Sequence, residues 1–203
     1  MRPGIRRWGV RDADARRVGR VVAGWLFLAL AVTVTQATGG WPALARQQPA
    51  ASSAMSETVL AWGGNGRGAL GNGTTTDSPV PVEAELPANT TITAMAAGNG
   101  HSVALTSDGA VLAWGRNASG QLGDGTTNNS STPVVVNLPP NTTITAIAAG
   151  HSHSLAVTST GTVLAWGYNY YGQLGNGTNN SSNTPVNVNL PTGTTITTIA
   201  AGA

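Results

Sequence analysis

Hydrophobic positions recur along the second part of the chain at a constant interval of 52 residues. Trp62, Trp114 and Trp166 follow this interval. The same interval relates sets of leucines, isoleucines and glycines: Leu70, Leu122 and Leu174; Ile92, Ile144 and Ile196; and Gly98, Gly150 and Gly202. Independent domains would drift in loop length, so an interval that never slips predicts repeats that pack on one another in a single geometry.

Within one repeat, the alternation of apolar and polar residues predicts four short strands. In the second repeat, strands are predicted over 92–97, 101–106 and 111–115, with an Asp-Gly hairpin turn between the last two. A fourth strand, over 132–136, contains Pro133, which suits the edge of a sheet. The predicted fold is therefore all-β: a partial β-propeller of about three four-stranded blades.

Several strings in the repeats are similar to those of a known family. They are Leu112-Ala113-Trp114-Gly115, Gly120-Gln121-Leu122-Gly123 and the run from Gly150 to Val157. Together they resemble the Regulator of Chromosome Condensation repeat over residues 57–203, although the first repeat has Ala69 where the other two have Gln121 and Gln173. The resemblance implies a seven-bladed propeller. It also implies that the histidine at one repeat position, His101 in the second repeat and His153 in the third, is structural and hydrogen-bonded within its blade.

Seven blades of this length would need more than twice the residues in these repeats. The first repeat begins at its third strand and the last ends after its first strand. We therefore expect either a fragment of a longer propeller or an arc that assembles with copies of itself. An arc would leave open blade faces, which favour association.

Residues 1–45 predict a signal peptide of a bacterial exported protein. Arginines are followed by an apolar run over 21–34 and by Ala43-Leu44-Ala45, which matches a cleavage site. An uncleaved membrane anchor is the alternative, although this run is shorter than the ~20 residues that a span needs. Residues 46–56 are predicted to be a spacer. The expected location is secreted or cell envelope, with no membrane association after cleavage.

The charge distribution argues against nucleic-acid binding. The formal net charge is +2, but seven of the ten basic residues lie within residues 1–45, and six of the eight acidic residues follow. The remaining, mildly acidic domain cannot present a row of basic side chains to the phosphates of a nucleic acid. The chain has no cysteine, which excludes disulfides and thiolate metal sites.

Recurrence at the repeat interval favours a structural role for most conspicuous side chains. We predict that Trp62, Trp114 and Trp166 fill the space between blades rather than form a binding row. The other predicted structural repeat positions are His101, His153, Gly71, Gly123 and Gly175.

No convincing catalytic or metal site is predicted. Ser102, His101 and Asp108 could form a triad only on paper, because adjacent strand residues point to opposite faces. His151 and His153 share a strand face, but zinc would need a further ligand. We therefore expect no catalytic residue, no metal and no cofactor.

The loop after each Trp-Gly pair varies in sequence, while the Trp-Gly pair before it and the Leu-Gly pair after it are the same in all three repeats. It contains Arg67 in the first repeat, Arg116 in the second, and Tyr168, Tyr170 and Tyr171 in the third. Tyrosines on a loop suit a protein-binding surface, and tolerated loop variation is the alternative. These five residues are the candidate protein-binding loop.

The predicted function is a non-catalytic, exported repeat scaffold for protein–protein binding. Its partner would be an unknown protein or another copy of the chain. The family resemblance implies action through protein surfaces, since its members include nucleotide-exchange factors, chromatin binders and secreted β-lactamase inhibitors. The alternatives are a guanine-nucleotide exchange activity and a secreted hydrolase or hydrolase inhibitor.

Overall fold

The computed structural model describes residues 20–21, 32–35 and 57–202. Within these ranges the secondary structure is β-strand without helix, arranged as three four-stranded antiparallel sheets. We call the sheets blades 1 to 3. The described part of the chain thus contains no helix that could cross a membrane. The predicted all-β fold of three four-stranded blades is confirmed.

Each blade follows the chain in order from its first to its fourth strand. Blade 1 contains β1 (Arg20–Val21), β2 (Val32–Thr35), β3 (Glu57–Gly63) and β4 (Ser78–Glu83). Blade 2 contains β5 (Ile92–Ala97), β6 (His101–Thr106), β7 (Val111–Gly115) and β8 (Ser130–Val135). Blade 3 contains β9 (Ile144–Ala149), β10 (His153–Thr158), β11 (Val163–Gly167) and β12 (Ser182–Asn187).

The inner half of blade 1 comes from an unexpected part of the sequence. The strand β2 pairs antiparallel with β3, with Val32 opposite Leu60, and β1 pairs with β2. Both inner strands belong to the segment for which the sequence predicts a signal peptide. The rest of that segment, and the spacer over 46–56, lie outside the described residues.

The third and fourth strands of every blade are paired with a bulge at the Trp-Gly pair. In blade 2 the register shifts between Ala113 and Gly115. Gly115 has a φ of 100°, and a Cβ atom there would collide with the carbonyl O of Gly100. Glycine is therefore required where the strand bends into the loop that follows. Pro133 lies in β8, at the sheet edge, as expected.

The hydrophobic core lies between the blades rather than within a separate layer. One cluster joins Val103 and Leu122 of blade 2 to Leu164 and Trp166 of blade 3. A second joins Val59 of blade 1 to Trp114 and its neighbours in blade 2. All residues of β6 and β7 are buried, because neighbouring blades cover both faces of these strands.

Candidate functional site

The variable loops are built on a buried asparagine that the sequence analysis overlooked. Asn117 accepts a hydrogen bond from the backbone N of Leu122 at 2.9 Å and donates to Asp124 Oδ1 and to the carbonyl O of Thr126, both at 3.1 Å. Asn65 and Asn169 make the corresponding bonds in blades 1 and 3, and all three are fully buried. These asparagines recur at the repeat interval, and this recurrence could have revealed their structural role from the sequence. They fix the loop backbone while the flanking side chains vary.

The three tyrosines of the blade 3 loop form a contiguous aromatic surface, which we call the tyrosine cluster. The ring centroid of Tyr168 lies 6.4 Å from the centroids of Tyr170 and of Tyr171. The centroids of Tyr170 and Tyr171 are 4.9 Å apart, with the rings edge to face. The backbone N of Tyr171 donates to Gln173 Oε1 at 3.0 Å. Tyr170 and Tyr171 remain 63% and 78% exposed. The cluster is thus an ordered aromatic patch open to solvent.

The two candidate arginines lie on the corresponding loops of the other blades. The backbone N of Arg116 donates to Gly100 O at 2.7 Å, and that of Tyr168 donates to Ser152 O at 2.9 Å, so the two residues are equivalent. Arg116 is partly buried and Arg67 is exposed. Among the described residues, neither arginine has an ion pair, and neither has a hydrogen bond or a ring contact with the tyrosine cluster.

His101 connects two blades instead of lying in a hydrogen bond within one. Its Nε2 is 3.0 Å from Ser154 Oγ, and Ser154 donates its own proton to the carbonyl O of Gln121 at 2.9 Å. His101 Nε2 must therefore be the donor, which leaves the buried Nδ1 as an acceptor without a partner. The expectation of a bond within the blade was wrong because the serine acceptor belongs to the next repeat.

The environment of His101 keeps its imidazole neutral. Burial lowers its pKa to about 3, and the positive charges of His153, Arg116 and His151 act in the same direction. Burial is also the main cause of the lowered pKa of His153, followed by the charge of His151. A proton on the unpartnered Nδ1 of His101 would be buried without an acceptor, which disfavours the charged form.

The groups considered for catalysis do not converge. Ser102 donates its hydroxyl to the carbonyl O of Ala69 at 3.0 Å. Asp108 accepts a hydrogen bond from the Thr106 hydroxyl within its own turn, and that bond is the main cause of its lowered pKa. His151 Nδ1 lies 2.8 Å from Ser152 Oγ. In the described part of the chain, no three histidine or carboxylate side chains are grouped as a metal site would require.

Two tryptophans lie at the blade junctions. Trp114 Nε1 donates to the carbonyl O of Ala69, and Trp166 Nε1 donates to that of Gln121, each at 2.9 Å. Both indoles are fully buried, whereas Trp62 is partly exposed. A Cβ atom on Gly71 or Gly123 would lie 2.7 Å from the indole Nε1 of the following blade.

Four-stranded antiparallel blades that stack through one tryptophan per repeat define a β-propeller repeat protein. Within that class, the chain belongs to the Regulator of chromosome condensation (RCC1) repeat family. The family model matches residues 56–105, 108–157 and 160–203. A second model of the same repeat matches residues 92–121 and 144–173.

Similar curated proteins contain this repeat within much longer chains. The Ultraviolet-B receptor UVR8 of Arabidopsis thaliana is 35% identical over 71% of this chain and 33% of its own length. The human E3 ubiquitin-protein ligase HERC2 is 33% identical over 72% of this chain and 3% of its own. The chain therefore spans a third or less of these relatives.

Solved structures show the same architecture. Prp20p from Saccharomyces cerevisiae is similar with a TM-score of 0.63 and 25% identity, over 72% of this chain and 38% of its own. Human WBSCR16 is similar in fold, with a TM-score of 0.64 and 22% identity, over 85% of this chain and 40% of its own.

Proposed function

We propose that this chain is a non-catalytic repeat scaffold that binds a protein partner through the tyrosine cluster. The exposure of Tyr170 and Tyr171 on an ordered loop is the observation on which the proposal rests. Aromatic side chains that are already held in place lose little conformational entropy on binding and bury a large area. The buried Asn169 and the Gln173 side chain supply that support.

The arginines give the surface a preferred partner chemistry. Arg67 and Arg116 occupy the same loop in the preceding blades and have no carboxylate partner among the described residues. Guanidinium groups without a carboxylate partner favour a binding partner that presents carboxylates. Binding of proteins also has a precedent in this fold, since Prp20p was studied for its binding to Gsp1p and histones.

The tyrosine cluster can be tested with a variant taken from the protein's own second repeat. Tyr170→Ala combined with Tyr171→Ser reproduces Ala118 and Ser119, which occupy the same loop in blade 2. We expect the double change to weaken binding of a captured partner by about thirtyfold, the effect of losing a typical hot spot. A blade 2 variant, Val135→Ser, removes a side chain that is 60% exposed on an outer strand and should bind normally. Equal binding by the double variant would refute the role of the cluster.

We also propose that the protein is exported and that residues 1–45 are removed, a step that would take β1 and β2 away from their pairing with β3 in blade 1. The support is the order of arginines, apolar run and Ala43-Leu44-Ala45 in the sequence. The intact mass of protein recovered from the cell envelope or medium should correspond to a chain that begins at Arg46. Recovery of the uncleaved chain from the cytosol would overturn this proposal and favour the nucleotide-exchange alternative.

The hydrolase alternative depends on His151 and His153 and predicts a loss of activity in a folded His153→Ala variant. Under the scaffold proposal, this variant and the unchanged protein should be equally inactive on ester and β-lactam substrates. Turnover by the unchanged protein that disappears in a still-folded His153→Ala variant would establish an enzyme instead. Circular dichroism of both proteins provides the check on folding.

A further inference from the structure

Four asparagines in the described part of the chain lie in the same tripeptide, Gly-Asn-Gly. They are Asn65, Asn72, Asn99 and Asn176. An asparagine followed by glycine is chemically labile, because the backbone N of a residue without a side chain can approach the asparagine carboxamide carbon closely. The reaction needs an asparagine side chain that can rotate and a glycine N–H that is not hydrogen-bonded. Since the tripeptide is the same, the surrounding structure decides which asparagine reacts.

Hydrogen bonds hold the side chains of Asn65 and Asn176 in place. Asn65 is fully buried; its Oδ1 accepts from the backbone N of Leu70 at 2.9 Å, and its Nδ2 donates to the carbonyl O of Thr74 at 3.0 Å. Asn176 Oδ1 accepts from the backbone N of Thr178 at 3.1 Å and from its hydroxyl at 2.9 Å. Both carboxamides must break these bonds before they can turn towards the glycine that follows.

Asn72 is restrained at both reacting groups. Its Oδ1 accepts a hydrogen bond from the hydroxyl of Thr74 at 2.8 Å. The backbone N of Gly73, which would be the attacking atom, donates to the carbonyl O of Ser131 in blade 2 at 3.0 Å. Attack at Asn72 therefore requires the contact between two blades to open.

Asn99 has neither restraint. It is exposed at the tip of the turn between β5 and β6, and the backbone N of Gly98 closes this turn by donating to the carbonyl O of His101 at 2.8 Å. Among the described residues, no hydrogen bond involves the Asn99 side chain or the backbone N of Gly100. Asn99 thus combines a side chain that can rotate with a glycine N–H that is available for attack.

The charge around this turn also favours the reaction. The backbone N of Arg116 donates to the carbonyl O of Gly100 at 2.7 Å. A Cβ atom on Gly100 would lie 3.6 Å from the Cβ atom of Arg116, so the arginine passes directly beside the turn. Negative charge develops on the backbone N of Gly100 when it loses its proton to attack the carboxamide, and a neighbouring positive charge stabilises such an anion.

We propose that Asn99 is a deamidation site of the folded protein. The backbone N of Gly100 bonds to Cγ of Asn99, the bond from Cγ to Nδ2 breaks, and ammonia leaves with the proton that Gly100 gives up. Water then opens the five-membered ring at either carbonyl and yields aspartate or isoaspartate. No oxidant or enzyme is needed. The inference goes beyond the proposed binding of a protein partner and does not depend on it.

The modification changes the charge of the surface and leaves the core untouched. It adds a carboxylate one residue away from the contact between Gly100 and Arg116, and Arg116 has no ion pair among the described residues. The residue at the same repeat position in blade 3 is His151, which is also exposed. A different side chain is therefore accommodated at this point of the turn, and the aspartate product should keep the native fold.

The unchanged full chain provides its own controls, because it contains four copies of one tripeptide. It should be incubated at mildly alkaline pH in water enriched in heavy oxygen, so that product formed during the incubation carries the label. Peptide mass spectrometry then locates each product and separates aspartate from isoaspartate. We expect Asn99 to react at least about tenfold faster than the other three asparagines, since their hydrogen bonds must open first. In concentrated urea the four rates should converge.

Two variants confirm the assignment of the reacting groups. Asn99→Gln keeps a carboxamide but would have to form a larger ring, so labelled product should disappear from this peptide. Gly100→Ser places a side chain on the attacking residue and should slow the reaction severalfold. Serine is the residue at this position in blade 3, Ser152, so the fold accommodates it, and circular dichroism verifies this.

Three results would overturn the proposal. One is an Asn99 that keeps its amide in the folded protein while it reacts in urea. Another is a folded protein in which Asn72 reacts as fast as Asn99, which would mean that the hydrogen bonds give no protection. The third is a product that contains aspartate without isoaspartate, which would replace attack by Gly100 with direct hydrolysis of the carboxamide.

Discussion

The indole Nε1 of Trp166 donates a hydrogen bond to the carbonyl O of Gln121, which lies 2.9 Å away and 45 residues earlier in the chain. Ser154 donates to the same oxygen at 2.9 Å, so one loop of blade 2 holds two strands of blade 3. Much of the stability of the fold therefore depends on contacts between repeats, as expected for repeat proteins.

A Trp166→Phe variant should show how much the junction depends on that hydrogen bond. Phenylalanine keeps an aromatic ring but removes the donor and leaves space around the smaller side chain. We expect the free energy of unfolding to fall by about 1–3 kcal/mol, measured by chemical denaturation. The matched change Trp62→Phe should cost less, because Trp62 is partly exposed and has no described acceptor. Equal losses would show that the indole donor at the junction contributes little.

Gly98→Ala should destabilise the protein by crowding the histidine that spans the junction. A Cβ atom at Gly98 would lie 2.5 Å from both the ring Nδ1 of His101 and the carbonyl O of Gly150. Overpacking of this kind costs about 1–3 kcal/mol, which thermal denaturation can detect. Gly202 occupies the same repeat position with no neighbour within 4 Å, so Gly202→Ala should be close to neutral. A neutral Gly98→Ala would mean that the His101 ring can move aside.

Acidification should begin to destabilise the fold at a pH above the range in which carboxylates titrate. The folded-state pKa of His101 is lowered from 6.5 to about 3. At a pH between these two values, the unfolded chain therefore binds a proton that the native chain does not. Stability therefore decreases as the pH falls from about 6.5, by an amount on the order of a few kcal/mol at the acid end. The pKa of His153 is shifted in the same direction and adds to the effect.

The contribution of His101 can be isolated between pH 6.5 and 4. The lowered pKa of Asp108 matters only as the pH falls below the ordinary aspartate range, so it does not interfere in this window. His101→Gln should remove most of the dependence of the free energy of unfolding on pH, and His151→Gln, at an exposed position, should retain it. The same dependence in His101→Gln and the unchanged protein would contradict the assignment.

The strands and their repeat could be predicted from the sequence because both are periodic. Alternating side chains located the strands of blade 2 to within a few residues, and Pro133 marked the outer edge. The buried role of Asn117 was also within reach, since asparagine recurs at this point of every loop. It was missed because asparagine is common in turns, where its side chain ordinarily bonds to backbone only one or two residues away.

The junction contacts could not be predicted in this way. His101 bonds Ser154, 53 residues away, and the two lie one repeat plus one position apart. Periodicity shows that both residues recur but not which copy of one meets which copy of the other. The pairing of Val32 with Leu60 is likewise outside the repeat, because the sequence of β2 differs from those of β6 and β10.

Asn117→Asp should be more damaging than the same change at Asn169, although both asparagines are fully buried. The Nδ2 of Asn117 donates to the Asp124 carboxylate at 3.1 Å, so an aspartate there would set two carboxylates against each other. The counterpart of Asp124 in blade 3 is Asn176, an amide whose side chain can turn to donate. We expect Asn117→Asp to lower the free energy of unfolding by roughly 2–4 kcal/mol and Asn169→Asp by about half as much.

The pH dependence of the two variants distinguishes charge repulsion from a simple loss of hydrogen bonds. In Asn117→Asp the new carboxylate lies against that of Asp124, and protonation of either group would relieve the repulsion, because like charges in contact raise each other's pKa. The difference in stability between Asn117→Asp and Asn169→Asp, measured by chemical denaturation, should therefore shrink as the pH is lowered from 7 towards 4. A difference that stays constant over this range would mean that the lost donors, rather than the paired charges, determine the cost.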